Sequence, residues 1–118
     1  MKNFKKLLIW QKGMELVETS YKLSSSLPNE ERYGLRSQLT RAAVSIVLNI
    51  VEGSAKSSTK EYKRYLETAL GSAFEVETVL LIIERLGIAK DDAIEMLMTE
   101  LLAEQRMINS FISKLKEV

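Results

Sequence analysis

One helical segment of the sequence, residues 41–53, is apolar around most of its circumference. At about 100° per residue, its polar side chains fall within an arc of roughly 80° of the helix. A surface helix of a small bundle usually has an apolar stripe only a little over ~100° wide. We therefore predict that the fold buries one side and that a second copy or a partner covers the other; the alternative is a central core helix of a monomer. The polar members are Arg41, Ser45, Asn49 and Glu52.

Composition argues against most catalytic chemistry. The 118 residues include no cysteine and no histidine. Disulfides, thiolate metal sites, the Glu-x-x-His pairs of di-iron bundles and the usual general base near neutral pH are therefore excluded. We predict no catalytic residue, no metal and no cofactor, and a cytoplasmic protein.

Charge is balanced overall but unevenly distributed. The chain has 17 basic and 16 acidic residues, which is not the overall footprint of a nucleic-acid binder. Twelve basic and six acidic residues lie up to Arg64, and five basic and ten acidic residues follow it. This asymmetry favours an assembly with one basic surface.

Apolar runs are too short for a membrane protein. The N-terminal segment is basic, but its apolar run covers only Leu7 to Trp10 before Gln11 and Lys12 interrupt it. We therefore predict neither a signal peptide nor a membrane span.

Helical periodicity covers nearly the whole chain. The single proline, Pro28, separates a first helix over about residues 4–25 from a second that begins between residues 29 and 33 and continues to about residue 53. Ser58 and Glu61 match a capping box that begins a third helix, and Gly87 is a C-terminal stop. A fourth helix begins at the acidic pair 91–92. The pattern predicts an all-α, antiparallel up-down-up-down four-helix bundle, in one domain spanning residues 1–118.

Apolar spacing predicts the inward face of each helix. In the first helix that face carries Trp10, Met14, Val17 and Tyr21, widened by Leu8, Ile9, Leu16 and Leu23. In the fourth it follows a heptad-like pattern in which Gln105 is the polar member: Ile94, Met98, Leu101, Gln105, Ile108, Ile112 and Leu115.

The second and third helices have more apolar residues than an inward ridge requires. The predicted inward ridge of the second is Leu35, Leu39, Ala42, Ala43, Ile46 and Ile50, and that of the third is Tyr62, Tyr65, Leu66, Ala69, Ala73, Val76, Leu80 and Ile83. A monomer that exposed this surplus would be sticky, so we predict that it forms an oligomer interface. The predicted interface residues are Val44, Val47, Leu48, Val51, Leu70, Phe74 and Leu81.

The polar stripe of residues 41–53 is predicted to be buried and structural. Glu75 lies on the helix expected to run antiparallel beside it, and buried charges need partners. A hydrogen-bonded network of Arg41, Ser45, Asn49, Glu52 and Glu75 would fix helix register. The alternatives are an anion site at Arg41 and an exposed stripe without a special role.

The start of the third helix is the candidate nucleic-acid site. Free backbone N–H groups, nearby hydroxyls and cations are what a phosphate needs. Tyr62 or Tyr65 would stack on an unpaired base if exposed; alternatively both belong to the core and the lysines solvate a helix start. The candidate residues are Lys56, Lys60, Lys63 and Arg64, joined by Lys2, Lys5, Lys6 and Lys12 if the helix termini meet at one end.

Together these residues resemble a known family, the four-helix-bundle proteins encoded within intervening sequences of bacterial 23S ribosomal RNA genes. The resemblance covers about residues 4–86. Its motifs are Leu7 to Trp10 with Tyr21 and Leu23, then Gly34-Leu35-x-x-Gln38-x-x-Arg41-Ala42-Ala43-x-Ser45-Ile46-x-x-Asn49-Ile50-x-Glu52-Gly53, then Tyr65-Leu66-x-x-Ala69-x-Gly71-Ser72-x-x-Glu75.

The resemblance implies a ring-like homopentamer. The accessory protein of diversity-generating retroelements is a relative. For these relatives the resemblance also implies binding of nucleic acid and of a reverse transcriptase. Those relatives are strongly basic, whereas this chain is nearly neutral.

We therefore predict a non-enzymatic, homo-oligomeric scaffold or adaptor that binds RNA or DNA, or works within a ribonucleoprotein, and has no membrane partner. A protein–protein adaptor without a nucleic-acid role is the alternative. A small enzyme or ligand carrier ranks third.

Overall fold

Four α-helices form an antiparallel up-down-up-down bundle in the computed structural model, which describes residues 3–115. They are α1 (Leu8–Ser26), α2 (Leu35–Ser54), α3 (Thr59–Leu86) and α4 (Asp91–Lys114). Each helix packs against the next, and α4 closes the bundle against α1. The bundle measures 49 × 22 × 20 Å. The predicted fold is confirmed.

The first helix begins later than predicted because a 3-10 turn precedes it. Asn3 Oδ1 accepts a hydrogen bond from Lys5 N at 3.2 Å and caps the turn Phe4–Lys6. The backbone at Leu7 is then extended, and α1 starts at the next residue. At the other end α1 stops before Pro28, as predicted, because proline disfavours helix in the residue before it.

Two predicted helix boundaries are present in the structure. Ser58 Oγ accepts a hydrogen bond from Glu61 N at 3.1 Å and caps α3. The Glu61 carboxylate pairs with Arg64 at 3.3 Å instead of reaching back to the cap, so half of the predicted capping box forms. Gly87 ends α3 in the left-handed region at φ 65°, and its N–H contacts the carbonyl oxygen of Ile83.

The core lies between the predicted inward ridges of α2 and α3 and the apolar faces of α1 and α4. Each large side chain buried there contributes about 1.5–3 kcal/mol. None of the described helices is both long and apolar enough to cross a membrane. The fully buried residues of α2 and α3 are Leu39, Ala43, Ile46, Ile50, Leu66, Ala69, Ala73, Val76, Leu80 and Ile83.

The inward face of α1 differs from the predicted one. Met14 and Tyr21 are 38% and 54% exposed, whereas Ile9, Leu16 and Leu23 are buried. Small residues, which a count of apolar side chains overlooks, complete the buried face and let α1 lie close to its neighbours. These are Gly13, Ser20 and Ser24.

Candidate functional site

Large apolar side chains are exposed on the outer surfaces of α2 and α3. Leu48, Phe74 and Leu81 are 55%, 50% and 45% exposed, and Ile82 is 40% exposed. We call this surface the α2–α3 face. Apolar side chains as exposed as these are candidates for contact with another molecule.

Two shallow hollows lie on the α2–α3 face, one on the side of each helix. A hollow of about 380 Å³ on the α2 side is lined by residues that include Arg41 and Leu48. A second hollow, of about 490 Å³, lies on the α3 side, and its lining includes Phe74 and Glu75. We name them the Arg41 hollow and the Glu75 hollow. Each holds an exposed apolar side chain; Glu75 is the charged group of the second hollow, whereas the first is lined by both Arg41 and Glu52 and also reaches Tyr21 of α1.

A small hydrogen-bonded cluster lies between the two hollows. The Oγ atoms of Ser45 and Ser72 are 2.8 Å apart, which places these residues opposite each other on α2 and α3. The Asn49 amide donates to the carbonyl oxygen of Ser45 at 2.8 Å and to its Oγ at 3.1 Å. These polar groups therefore fix the register of α2 against α3.

The predicted buried network is wrong for the single chain. Ser45 and Asn49 are half-buried, but Arg41, Glu52 and Glu75 are exposed. Within residues 3–115 no ion pair joins Arg41 to either carboxylate. The reason is geometric, because Arg41 lines the hollow on the α2 side and Glu75 lines the separate hollow on the α3 side.

The predicted interface residues divide by their burial in the single chain. Leu48, Phe74 and Leu81 are exposed, and three others, Val44, Val51 and Leu70, are half-buried. Val47 departs from the prediction. It is only 6% exposed and packs against Gly13 of α1, so the chain's own fold already covers it.

The candidate nucleic-acid residues lie where α2 ends and α3 begins. Lys60 and Arg64 are exposed, whereas Lys56 and Lys63 are half-buried. Because alternate helix ends meet in an up-down bundle, the start of α1 and the end of α4 lie at the same end of the molecule. We call this the basic end; Lys2 lies outside the described residues. Its exposed cations are Lys5, Lys6, Lys12, Lys60, Arg64 and Lys114.

The tyrosines of the basic end are already engaged within the chain. Lys56 Nζ lies 5.1 Å and Arg64 Cζ 5.5 Å from the centre of the Tyr65 ring, as in cation–π contacts. Tyr62 is 5% exposed and packs against Phe111, with ring centres 5.6 Å apart. Burial also raises the pKa of the Tyr62 hydroxyl. Stacking of a base on Tyr62 is therefore ruled out, and the alternative that it belongs to the core is confirmed.

The sequence analysis missed one buried titratable residue, Glu104 of α4, which is 0% exposed. Within the described chain neither of its carboxyl oxygens has a hydrogen-bond partner. Burial raises the pKa of Glu104 to about 8. The available signal was its spacing from Leu97, Leu101 and Ile108, which places it on the apolar stripe of α4. Because glutamate is charged and mostly exposed in proteins, the sequence alone favours a position on the outside of the bundle.

Comparisons with known proteins identify the family but not the activity. A family model described as 23S rRNA-intervening sequence protein matches residues 5–110. A crystal structure at 1.70 Å resolution, of a protein with unknown function from the S23 ribosomal protein family of Bacteroides thetaiotaomicron, is 23% identical. The match covers 91% of this chain and 100% of that one with a TM-score of 0.84, and at this identity it shows the fold alone. No match is found among curated proteins. Since the family match includes all four helices, the chain belongs to the 23S rRNA-intervening sequence protein family.

Proposed function

We propose that this protein is a non-enzymatic scaffold or adaptor that works as a homo-oligomeric ring, with the α2–α3 face as the contact between subunits. The observation that carries the proposal is the exposure of Leu48 and Phe74, about half of each side chain. Covering such side chains between subunits removes apolar area from water, at roughly 25 cal/mol per Å². The family resemblance leads us to propose five subunits.

The two hollows are complementary in a way that favours a ring. In a cyclic assembly each subunit presents one surface to one neighbour and a different surface to the other. The Arg41 hollow of one subunit would meet the Glu75 hollow of the next, which pairs the Arg41 guanidinium with the Glu75 carboxylate and covers both Leu48 and Phe74. A contact between two unlike surfaces closes into a ring when the rotation between subunits closes.

The heights of the charged groups along the bundle agree with this pairing. Arg41 precedes Ser45 by four residues and Glu75 follows Ser72 by three, on helices that run in opposite directions. At about 1.5 Å per residue, both lie on the same side of the serine contact, at heights within about 2 Å of each other. A ring whose axis is parallel to the bundle would therefore bring the arginine level with the neighbouring carboxylate.

Gly71 provides independent support from the middle of α3. A glycine inside a helix is about 0.5–1 kcal/mol less favourable than alanine. Nothing in the chain requires this one, because a Cβ added at Gly71 would meet no atom within 4 Å. The residue lines the Glu75 hollow, where a missing side chain lets another molecule approach the α3 backbone.

The absence of enzymatic activity is part of the proposal. The sequence has no histidine or cysteine to act as a base or nucleophile. The described residues contain no group of three or more acidic side chains placed to hold a metal ion.

We further propose that the ring binds RNA or DNA weakly at its basic end. The observation that favours this is the gathering of cations from the α1, α3 and α4 termini at one end of the bundle. In a ring of parallel subunits these ends repeat on one surface, so several weak phosphate contacts act together. Binding of this kind is independent of sequence and weakens steeply with salt.

The assembly is tested by introducing a charge into the α2–α3 face and, as a control, into an equally exposed apolar position elsewhere. Phe74→Lys is expected to convert the oligomer to a folded monomer, measured by light scattering and circular dichroism. Met96, 61% exposed on α4, is the matched control, and Met96→Lys is expected to leave the oligomer intact. A monomeric wild-type protein at micromolar concentration contradicts the proposal, as does equal dissociation by both variants.

The pairing of the hollows is tested by exchanging charges. Arg41→Glu and Glu75→Arg are each expected to weaken the assembly, because each places like charges across the contact. The double variant restores opposite charges and is expected to recover the oligomer. These two side chains form no ion pair within the described chain, so recovery would locate the pair between subunits. Failure to recover, with both single variants dissociated, rejects this pairing.

Nucleic-acid binding is tested with two triple variants of equal charge. Lys56→Glu, Lys60→Glu and Lys63→Glu together are expected to abolish retention of single-stranded RNA at low salt. The control changes Lys22, Arg85 and Lys90 to Glu, which lie towards the opposite end of the bundle. Equal loss in both variants would place binding elsewhere. If the wild-type protein shows no salt-sensitive retention of single-stranded RNA, duplex RNA or DNA, the protein is a protein–protein adaptor without a nucleic-acid role.

A further inference from the structure

A buried carboxyl group of α4 lies inside the bundle beside Gly13 of α1 and Val47 of α2, and neither proposed binding surface uses it. Glu104 is fully buried, and its Oε2 lies 2.9 Å from the position that a Cβ on Gly13 would occupy. The same position is 2.7 Å from Val47 Cγ1. We call this three-residue contact the α4 seam. The glycine makes room in α1 for a carboxyl group that a larger side chain would displace.

No cation compensates the carboxyl group within the described part of the chain. The buried residues of α1 and α2 include no titratable side chain, and the one in α3 is Tyr62. The nearest charged residues of α1, Lys12 and Glu15, project outwards and pair with each other at 3.3 Å. On α2, Glu52 is exposed, and on α3 the half-buried Glu77 accepts a hydrogen bond at 2.9 Å from the amide of Gln105, the residue after Glu104.

The neighbouring acid of α4 adds no compensation either. Glu100 lies one turn before Glu104; its Oε1 accepts a hydrogen bond from Thr19 at 3.1 Å, while its Oε2 is buried without a partner. It brings further negative charge to the contact between α1 and α4. An ionised Glu104 would have no hydrogen bond and no cation among the described residues, which makes the charged form unfavourable in the closed bundle.

We propose that Glu104 is a proton-operated latch: with its proton bound, α4 stays closed against its neighbours α1 and α3, and release of the proton to solvent opens the α4 seam. The α2–α3 face lies on the other side of α2 and is not part of this contact. Opening therefore loosens α4 while leaving the proposed contact between subunits in place. The latch does not depend on the proposed function, because it involves residues of one chain only.

The direction of the pH effect follows from linkage. Burial raises the pKa of Glu104 from an ordinary 4.5 to about 8 in the folded chain. The folded state thus holds a proton that the unfolded state has lost, and stability decreases with rising pH across this interval. The contribution is fully present below about pH 4.5 and lost as pH rises through 8. Between pH 6 and pH 9 the unfolding equilibrium constant is expected to rise roughly 100-fold from this group alone.

The test compares the wild-type protein with Glu104→Gln, which keeps the shape and cannot ionise. Denaturant unfolding from pH 6 to pH 9 is followed by the fluorescence of Trp10, which lies on α1 close to the seam and packs against the core. The wild-type constant is expected to rise about 100-fold more than that of the variant. Glu95→Gln, a change at an exposed position of the same helix, is the control and is expected to keep the wild-type profile.

A direct titration decides the matter even if a variant fails to fold. The wild-type protein with ¹³C-labelled glutamate carboxyl groups is expected to show one group that titrates near pH 8, with amide exchange increasing in α4 but not across the α2–α3 contact. Titration of every glutamate below pH 6 overturns the proposal. So does an identical pH profile in the wild-type protein and Glu104→Gln, or opening that spreads equally over all four helices.

Discussion

Two glycines inside helices show how differently two contact regions of this bundle are made. A Cβ on Gly13 of α1 would lie 2.7 Å from Val47 and 2.9 Å from the Glu104 carboxyl. A Cβ on Gly71 of α3 would meet nothing within 4 Å. Both residues carry the helix penalty of glycine, but only for the first does the chain itself supply the reason.

The difference extends to the polar groups around each glycine. At the α4 seam the close approach has already occurred, and it encloses a carboxyl group without partners. On the α2–α3 face the hydroxyls of Ser45 and Ser72 satisfy each other, while Phe74 and its apolar neighbours are half exposed. One region has polar groups that lack partners, and the other has apolar groups that lack cover. A bound proton would neutralise the buried carboxyl group, and a second subunit would cover the exposed apolar side chains.

The largest effect is expected from removing the buried acid. Glu104→Met has a similar volume and no polar oxygen, so it should raise the free energy of unfolding by about 2–3 kcal/mol at pH 8. At pH 5 the gain should fall by about 3 kcal/mol, to near zero, because the carboxyl group is then protonated in the folded state and no longer fully ionised in the unfolded state. Chemical denaturation at the two pH values measures this. A destabilised variant at pH 8 would mean that the carboxyl has a partner that stabilises it.

Filling the space that Gly13 leaves should have the next largest effect. Gly13→Ala should lower the free energy of unfolding by about 1–2 kcal/mol, because the new methyl group overlaps Val47 while gaining only the helix preference of alanine. The variant should also alter the titration of Glu104, whereas Gly71→Ala should not. A stabilised Gly13→Ala protein would show that the seam yields easily, which would weaken the distinction between the two glycines.

The fold was predictable because its signals are local and repeated. Pro28, Ser58 and Gly87 mark helix ends through backbone geometry and capping, and these chemical rules act within a few residues. The inward ridges of α2 and α3 follow from apolar spacing alone. The face of α1 did not, because Gly13 and Ser20 are buried for their small size, which depends on what packs opposite them.

The candidate site was only partly predictable, and the reason lies in distance along the chain. The motif drew attention to Arg41 and Glu75, but a helical wheel cannot tell a buried charge from an exposed one, and the structure exposes both. Val47 shows the opposite case. It was predicted to lie in an interface, but its side chain packs against Gly13 of α1 within the same chain. Glu104 was missed because partnerless burial of an acid runs against every sequence rule, and only packing of three helices reveals it.

A smaller effect of opposite sign is expected at the second glycine. Gly71→Ala should raise the free energy of unfolding of the dissociated chain by about 0.5–1 kcal/mol, because it improves helix preference without a clash. The same change should weaken the oligomer, measured by light scattering across a dilution series. Stabilisation without loss of assembly would place the contact between subunits away from the α3 backbone.

The smallest effect on the bundle itself is expected at Arg41. A buried network would make Arg41→Ala cost about 3–5 kcal/mol, because a partner carboxylate would be left unpaired. The structure exposes this arginine, so the substitution should change the free energy of unfolding of the dissociated chain, obtained in the Phe74→Lys background, by less than about 0.5 kcal/mol. In the otherwise wild-type protein it should reduce assembly, since Glu75 of the neighbour loses its counter-charge. A loss of several kcal/mol in the monomer would support the predicted buried network within one chain. The proposed contact between subunits through Arg41 would then be rejected.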